Sequence, residues 1–366
     1  MSGGNPVATL LADMVHNTSH GNRWHRLTTA TEDLEKEDLS YKPVPAIGCD
    51  RREEEFPASI LTPSRILLDT ALAAAKCGDA LCERTDDESE GEWDDADLDS
   101  AVHDPRELVA AVDTACRRLH ARAQRLTDAE LAEPGAGAWH SAAKAFVLVE
   151  GGILQMAWHF GQVAMLTNWR RAQGRTEIAK PAVGRAGRRG NVVSAREHDS
   201  SDFRAESPRE LCLRLLAAAY DESAWHSICP MIEGSTAEET AWVPFPGESP
   251  RAIVDLCRHV AHCKVMYADH GFAEGTLRWS DCDRILGWSE SRCDAEYLLA
   301  ILGHAQEFLT EHVAAATDQE LYRVNPMHHK VPLTGWQVVA SMAQHDAWHG
   351  GQMAIMRTAY GALLEG

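Results

Sequence analysis

Apolar residues recur every three or four positions through most of this chain, the spacing that turns one face of an α-helix toward a core. Leu108, Val109, Val112, Cys116, Leu119 and Ala123 show the pattern plainly. Strand-like alternation is nearly absent, so the sequence predicts an all-α protein. Start and stop signals place four helices in each half. In the first half they fall at about residues 6–34, 63–83, 104–126 and 141–172, and in the second at about 207–233, 250–273, 292–316 and 334–361.

Composition divides the halves. From Arg170 to Gly190 the chain turns basic and Gly-rich (Arg175, Lys180, Gly184, Arg185, Gly187, Arg188, Arg189), which fits an exposed inter-domain linker. The expected organisation is therefore residues 1–172, a linker at 173–205, and residues 206–366. The acidic run from Asp86 to Asp99 reads as a solvated loop.

The halves also look like copies of one unit. Gln344-His345-Asp346-Ala347-Trp348-His349-Gly350-Gly351-Gln352 has a partial copy 190 residues earlier, Gln155-Met156-Ala157-Trp158-His159-Phe160-Gly161-Gln162. Thr127-Asp128-Ala129-Glu130-Leu131 matches Thr317-Asp318-Gln319-Glu320-Leu321 at the same offset of 190. Nearer the start of each half, Trp24-His25, Glu37, Tyr41 and Pro43 match Trp225-His226, Glu238, Trp242 and Pro244 at an offset of 201. Spacing preserved across several blocks is the signature of duplication, and the difference of 11 residues is extra length in the first half.

Charge narrows the partners. A net charge of −20 and a pI near 5.3 give no electrostatic reason to bind nucleic acid or an anionic membrane. A small-molecule substrate is the expected partner. The N-terminus, Met1-Ser2-Gly3-Gly4-Asn5-Pro6-Val7, lacks the features of a secretory signal, and no apolar run approaches the roughly 20 residues that span a bilayer. The expected location is cytoplasmic. Ten cysteines occur without a Cys-x-x-Cys spacing, and Cys116, Cys212 and Cys257 sit in apolar helical stretches as buried free thiols. Cys77 and Cys82 are the pair whose spacing allows redox or metal chemistry.

The histidines carry the candidate chemistry. With 18 of them in 366 residues, roughly one His-x-x-x-His pair arises by chance, so His16 and His20 near the N-terminus are weak candidates. His345 and His349 differ because they lie within a long predicted helix, where a separation of four puts both rings on one face. A third ligand would come from a facing helix, and Leu256-Cys257-Arg258-His259-Val260-Ala261-His262-Cys263-Lys264 offers His259 or His262. The same histidines would also serve as partly buried residues satisfied by hydrogen bonds.

These residues resemble a known family. Leu256-x-x-His259-Val260-Ala261, then Met266-Tyr267, and finally His345-Asp346-x-x-His349-x-Gly351-Gln352 are similar to the DinB/YfiT-like superfamily of metal-binding four-helix bundles. Trp242-Val243-Pro244 and the loop Ala316-Thr317-Asp318-Gln319-Glu320-Leu321 also fit its layout. The resemblance implies His259, His345 and His349 as ligands to one divalent transition metal ion, zinc, nickel or iron, with His262 as runner-up. It implies two tandem DinB-like bundles that form an intramolecular pseudo-dimer within a monomeric chain. For activity it implies a thiol-dependent transferase using a low-molecular-weight thiol, with a metal-dependent hydrolase as an alternative. A non-catalytic metal-binding or scaffold protein is the competing reading. Asp346, Gln352 and Tyr267 are the residues expected to orient a ligand or line the cavity.

The first half departs from the family at the site. Gln155 stands where His345 does, and no histidine occurs between His25 and His103, so its second helix supplies none. Asp69, Gln155 and His159 could form a mixed oxygen and nitrogen site. The simpler expectation is that this half keeps the fold as an interface partner.

Overall fold

The computed structural model describes residues 6–21, 25–41, 62–81, 104–173, 179, 205–223, 225–245 and 252–365. The acidic run at 86–99, Cys82 and nearly all of the linker lie outside the described residues. Eight long helices dominate: α1 Pro6–His16, α2 Pro63–Ala80, α3 Pro105–Ala123, α4 Gln155–Gln173, α5 Pro208–Ala217, α6 Ile253–Phe272, α7 Ala295–Ala315 and α8 Gly335–Glu365. The strands among the described residues are the two-residue pair β1 Val324–Asn325 and β2 Leu333–Thr334, antiparallel with Val324 opposite Thr334. The protein is all-α in character.

Local sequence sets the helix starts. Thr62, Asp104 and Ser207 cap α2, α3 and α5 with their side-chain oxygens, and each is followed by a proline whose missing N–H costs nothing in the first turn. Thr127 with Glu130, and Thr317 with Glu320, form reciprocal capping boxes on the short helices Asp128–Leu131 and Asp318–Leu321. The two boxes are 190 residues apart in the chain, as the repeat requires.

Two helices are shorter than their apolar pattern predicts. α1 ends at His16 and α5 at Ala217, where the pattern extends each to about 34 and 233. Each opens into one wide, π-type turn, Asn17–Gly21 and Ala218–Glu222, at the offset of 201 shared by the flanking motifs. In the second half Ser223 then turns extended, and its hydroxyl accepts the N–H groups of Trp225 and His226 at 3.2 and 2.8 Å, which stops the helix. A side-chain cap of this kind leaves the apolar spacing unchanged, so periodicity does not reveal it. The short helix Trp279–Leu286 and the β1–β2 pair also lie outside the predicted pattern. Both are too short to establish a period.

Packing repeats between the halves. In the first, α1 packs on α3, α3 on α2, α2 on α4, and the Lys144–Val149 helix that leads toward α4 returns to α1. In the second, α5 packs on α7, α7 on α6, α6 on α8, and α8 on α5. The most extensive helix–helix contact among the described residues joins the halves through α4 and α8. Glycines allow it. A Cβ on Gly161 would overlap the carbonyl oxygen of Trp348, and one on Gly351 would overlap the carbonyl oxygen of Trp158. The Trp and Gly of the repeated Ala-Trp-His-x-Gly-Gln segment thus grip each other across the molecule. Gln344 Nε2 adds a buried 2.9 Å hydrogen bond to Thr18 Oγ1.

Candidate metal centre

The mid-section of α8 presents His345 and His349 one turn apart, 2% and 8% exposed, with ring centroids 4.4 Å apart. α6 brings His259 against them. Its Nε2 faces His345 Nε2 at 3.1 Å, and its ring centroid lies 5.2 Å from that of His349. Two imidazole nitrogens bound to one tetrahedral zinc at roughly 2.0–2.1 Å each would stand about 3.3 Å apart. The observed spacing fits a shared ion.

The polar atoms point to the same conclusion. His349 Nδ1–H donates to Gln352 Oε1 at 2.7 Å, which fixes the tautomer and leaves Nε2 with its lone pair. That Nε2 is buried without a hydrogen-bond partner, as is His345 Nδ1. Buried polar atoms are normally satisfied, so an orphaned imidazole nitrogen beside a pair of facing nitrogens suits a cation. Burial, then the neighbouring imidazoles, holds His345 and His349 well below the ordinary histidine range, so both are neutral and able to ligate.

Two residues join the cluster that the sequence reading left out. His25, carried beyond the wide turn Asn17–Gly21 of the first half, places its ring 4.9 Å from His345 and 6.2 Å from His349. His25, His345 and His349 each offer a ligand atom within 4.8 Å of one another, and His259, Cys263 and His345 form a second such group. Cys263 lies one turn from His259 on α6, with Sγ 3.8 Å from its Nε2. The i, i+4 spacing of His259 and Cys263 was available as a signal. The approach of His25 was not, because it depends on where α1 stops.

Other expected residues sit elsewhere. His262 Nε2 donates to Asp283 Oδ1 at 2.8 Å, which commits that nitrogen away from the His345 contact. Asp346 ion-pairs with Lys264, both fully buried, and Lys264 also donates to Gln306. Burial raises the Asp346 carboxyl to about 6, and Lys264 opposes that rise. Asp346 Oδ1 has no hydrogen-bond partner. Tyr267 packs against the rings of His328 and His329, at 5.3 and 5.7 Å, with its hydroxyl pKa raised by burial. His16 and His20 stack at 5.1 Å, and His20 engages Asp113 at 2.6 Å. Cys77 is buried and its thiol is pushed up to about 12 by desolvation, which removes thiolate reactivity.

A groove of about 400 Å³ opens beside the cluster, its lining including Asp255, Arg258, His259, His262, Trp279 and Asp283. His259 is common to both. Arg258 and Trp279 line the groove with it, the Trp279 indole stacked 6.5 Å from the His259 ring.

In the first half, His159 Nδ1–H donates to Thr70 Oγ1 at 2.9 Å, because the Thr70 hydroxyl is itself committed to Ile66 O. Asp69 pairs with Arg65 at 3.0 Å. His226, the counterpart of His25, lies 6.4 Å from His159 and donates from Nδ1 to the buried Glu150 at 2.7 Å. No protein-family model matches the chain, and no curated protein or solved structure matches it.

Proposed function

We propose that the protein is a DinB-like metal-dependent enzyme built from two tandem four-helix bundles paired as an intramolecular pseudo-dimer, with its working site in the second half. The repeated helix-neighbour order, the wide turns 201 residues apart and the capping boxes 190 apart support the duplicated fold. The observation that carries the site is the 3.1 Å approach of His259 Nε2 and His345 Nε2, beside the orphaned Nε2 of His349. A divalent ion held there by His259, His345 and His349 would keep a position open and supply a nucleophile at neutral pH by acidifying a bound water or thiol.

The chain's own groups prepare that chemistry. Gln352 orients His349 through the Nδ1–H it accepts. Burial keeps His345 and His349 neutral, and the groove beside His259 is the route proposed for the reactant. Arg258, in the groove wall, is neutralised by Asp283 and Glu290, so the groove presents paired charges to a polar reactant. Thiol-dependent transfer to a small molecule is the first reading because the DinB-like family that the chain resembles implies it.

The test is to load tag-free protein with zinc, nickel or iron and assay it with a low-molecular-weight thiol and electrophilic small molecules, alongside ester and amide substrates. The expected product is a metal-dependent thiol adduct that disappears on chelation and in His345→Ala. Cleavage without thiol would replace transfer by hydrolysis. Neither product from metal-loaded protein, together with a large loss of thermal stability on chelation, would replace the enzyme by a scaffold.

A further inference from the structure

We infer that His25, a residue of the first half, is a ligand to the ion held by the second half, so that the metal centre is completed across the interface between the halves. The inference rests on the metal site proposed above and adds to it a ligand from outside the bundle that supplies the other three.

Geometry carries it. His25 is one of three histidines whose ligand atoms lie mutually within 4.8 Å, the others being His345 and His349. Its ring sits 4.9 Å from His345, the same centroid separation that His259 keeps. It also stands edge-on to Trp348 at 5.4 Å, a contact that fixes the imidazole beside the α8 pair. His25 thus joins His345 and His349 of α8 in one group of candidate ligands from across the interface, while His259 of α6 approaches in a second group that shares the His345 ring. First-row divalent ions accept more than three ligands, so His25 can add to the imidazoles of α6 and α8.

The duplication shows that this reach is built into the fold. His226 makes the reciprocal crossing, standing 5.8 Å from Trp158 and 6.4 Å from His159, against 5.4 and 6.2 Å for His25 from Trp348 and His349. Where the first half has Gln155 in place of a second histidine, the crossing ring meets a buried carboxylate, Glu150, at 2.7 Å. One crossing histidine is thus held by a carboxylate. The other faces the buried lone pair of His349 Nε2, which a cation satisfies and a carboxylate does not.

The probes are zinc(II) and cobalt(II) added to the metal-free full-length protein. X-ray absorption of the zinc-loaded wild type should count four imidazoles, and His25→Gln should lower that count by one. The same variant should weaken zinc binding, measured against a competing chelator, by more than the about 10- to 100-fold that loss of an outer-shell partner costs. It should also change the cobalt d–d spectrum, whereas His226→Gln should leave affinity and spectrum unaltered. Unchanged affinity and spectrum in His25→Gln, with binding abolished in His345→Ala, would overturn the role of His25 and leave the second-half site standing. Metal retained in His345→Ala would overturn the site itself. If His25→Gln does not fold, His25→Asn is measured in its place, and wild-type zinc affinity and cobalt spectrum there would refute the inference.

Discussion

Gly161 on α4 lies directly against the carbonyl oxygen of Trp348 on α8, with no room between them for a methyl group. The contact holds the two halves at the distance from which His25 reaches across. Gly161→Ala should therefore destabilise the protein by about 1–3 kcal/mol or more, the range for overpacking a close-packed site. Gly351→Ala, at the reciprocal contact with Trp158, should do the same. Urea unfolding midpoints of the two variants check this, and wild-type midpoints in both would show that the helices yield at no cost.

Lys264 and Asp346 form a buried ion pair in the second half, beside the cluster but directed to Gln306. Lys264→Met alone should cost about 3–5 kcal/mol because it strands a buried carboxyl, and Lys264→Met with Asp346→Leu should recover most of the loss. Denaturant titration measures both. Asp346→Asn should keep its metal content, and loss of metal there would give Asp346 a part in orienting the ligands.

Gln352 accepts the His349 Nδ1–H. Gln352→Leu should lower zinc affinity about 10- to 100-fold while keeping the same number of ions bound at saturation. Chelator competition reads the change, and an unaltered affinity would remove Gln352 from the positioning of His349.

His159 is lowered to about 3, chiefly by burial and then by His226, and His328 to about 4, chiefly by burial and then by His329 and His270. Both are below the unfolded value of roughly 6.5, so the unfolded chain takes up these protons first as pH falls. Their contribution to stability is complete above about 6.5 and declines below it, ending near 4 for His328 and near 3 for His159. Melting temperature in the presence of a chelator should accordingly fall from pH 7 to pH 5. His159→Gln should flatten the fall, and an identical pH profile in the variant would exclude His159 as a source.

Much of this was legible in the chain. The helical period gave eight long helices, and the i, i+4 spacing put His345 and His349 on one face, with His259 on a helix that does pack against it. The segments matched at the offset of 190, Thr127–Leu131 and Thr317–Leu321, do form equivalent structures, a capping box in each half. The rest depended on events that periodicity does not record. α1 and α5 stop early at wide turns, the second followed by the Ser223 cap, and only then does His25 read as a crossing residue and not as part of another helical turn. The partner of Asp346 was hidden because Lys264 is 82 positions away and is buried, against the usual habit of lysine. Tyr267 shares α6 with His259, yet its ring goes to the loop histidines His328 and His329.

The central claim is that His345, His349 and His259 hold a divalent ion. Metal analysis of protein purified without an affinity tag, in wild type and His345→Ala side by side, tests it most directly. Close to one equivalent of transition metal per chain in the wild type, and little in the variant, is the predicted result. Equal metal content in the two proteins, or none in a wild type offered zinc, nickel and iron, would contradict it.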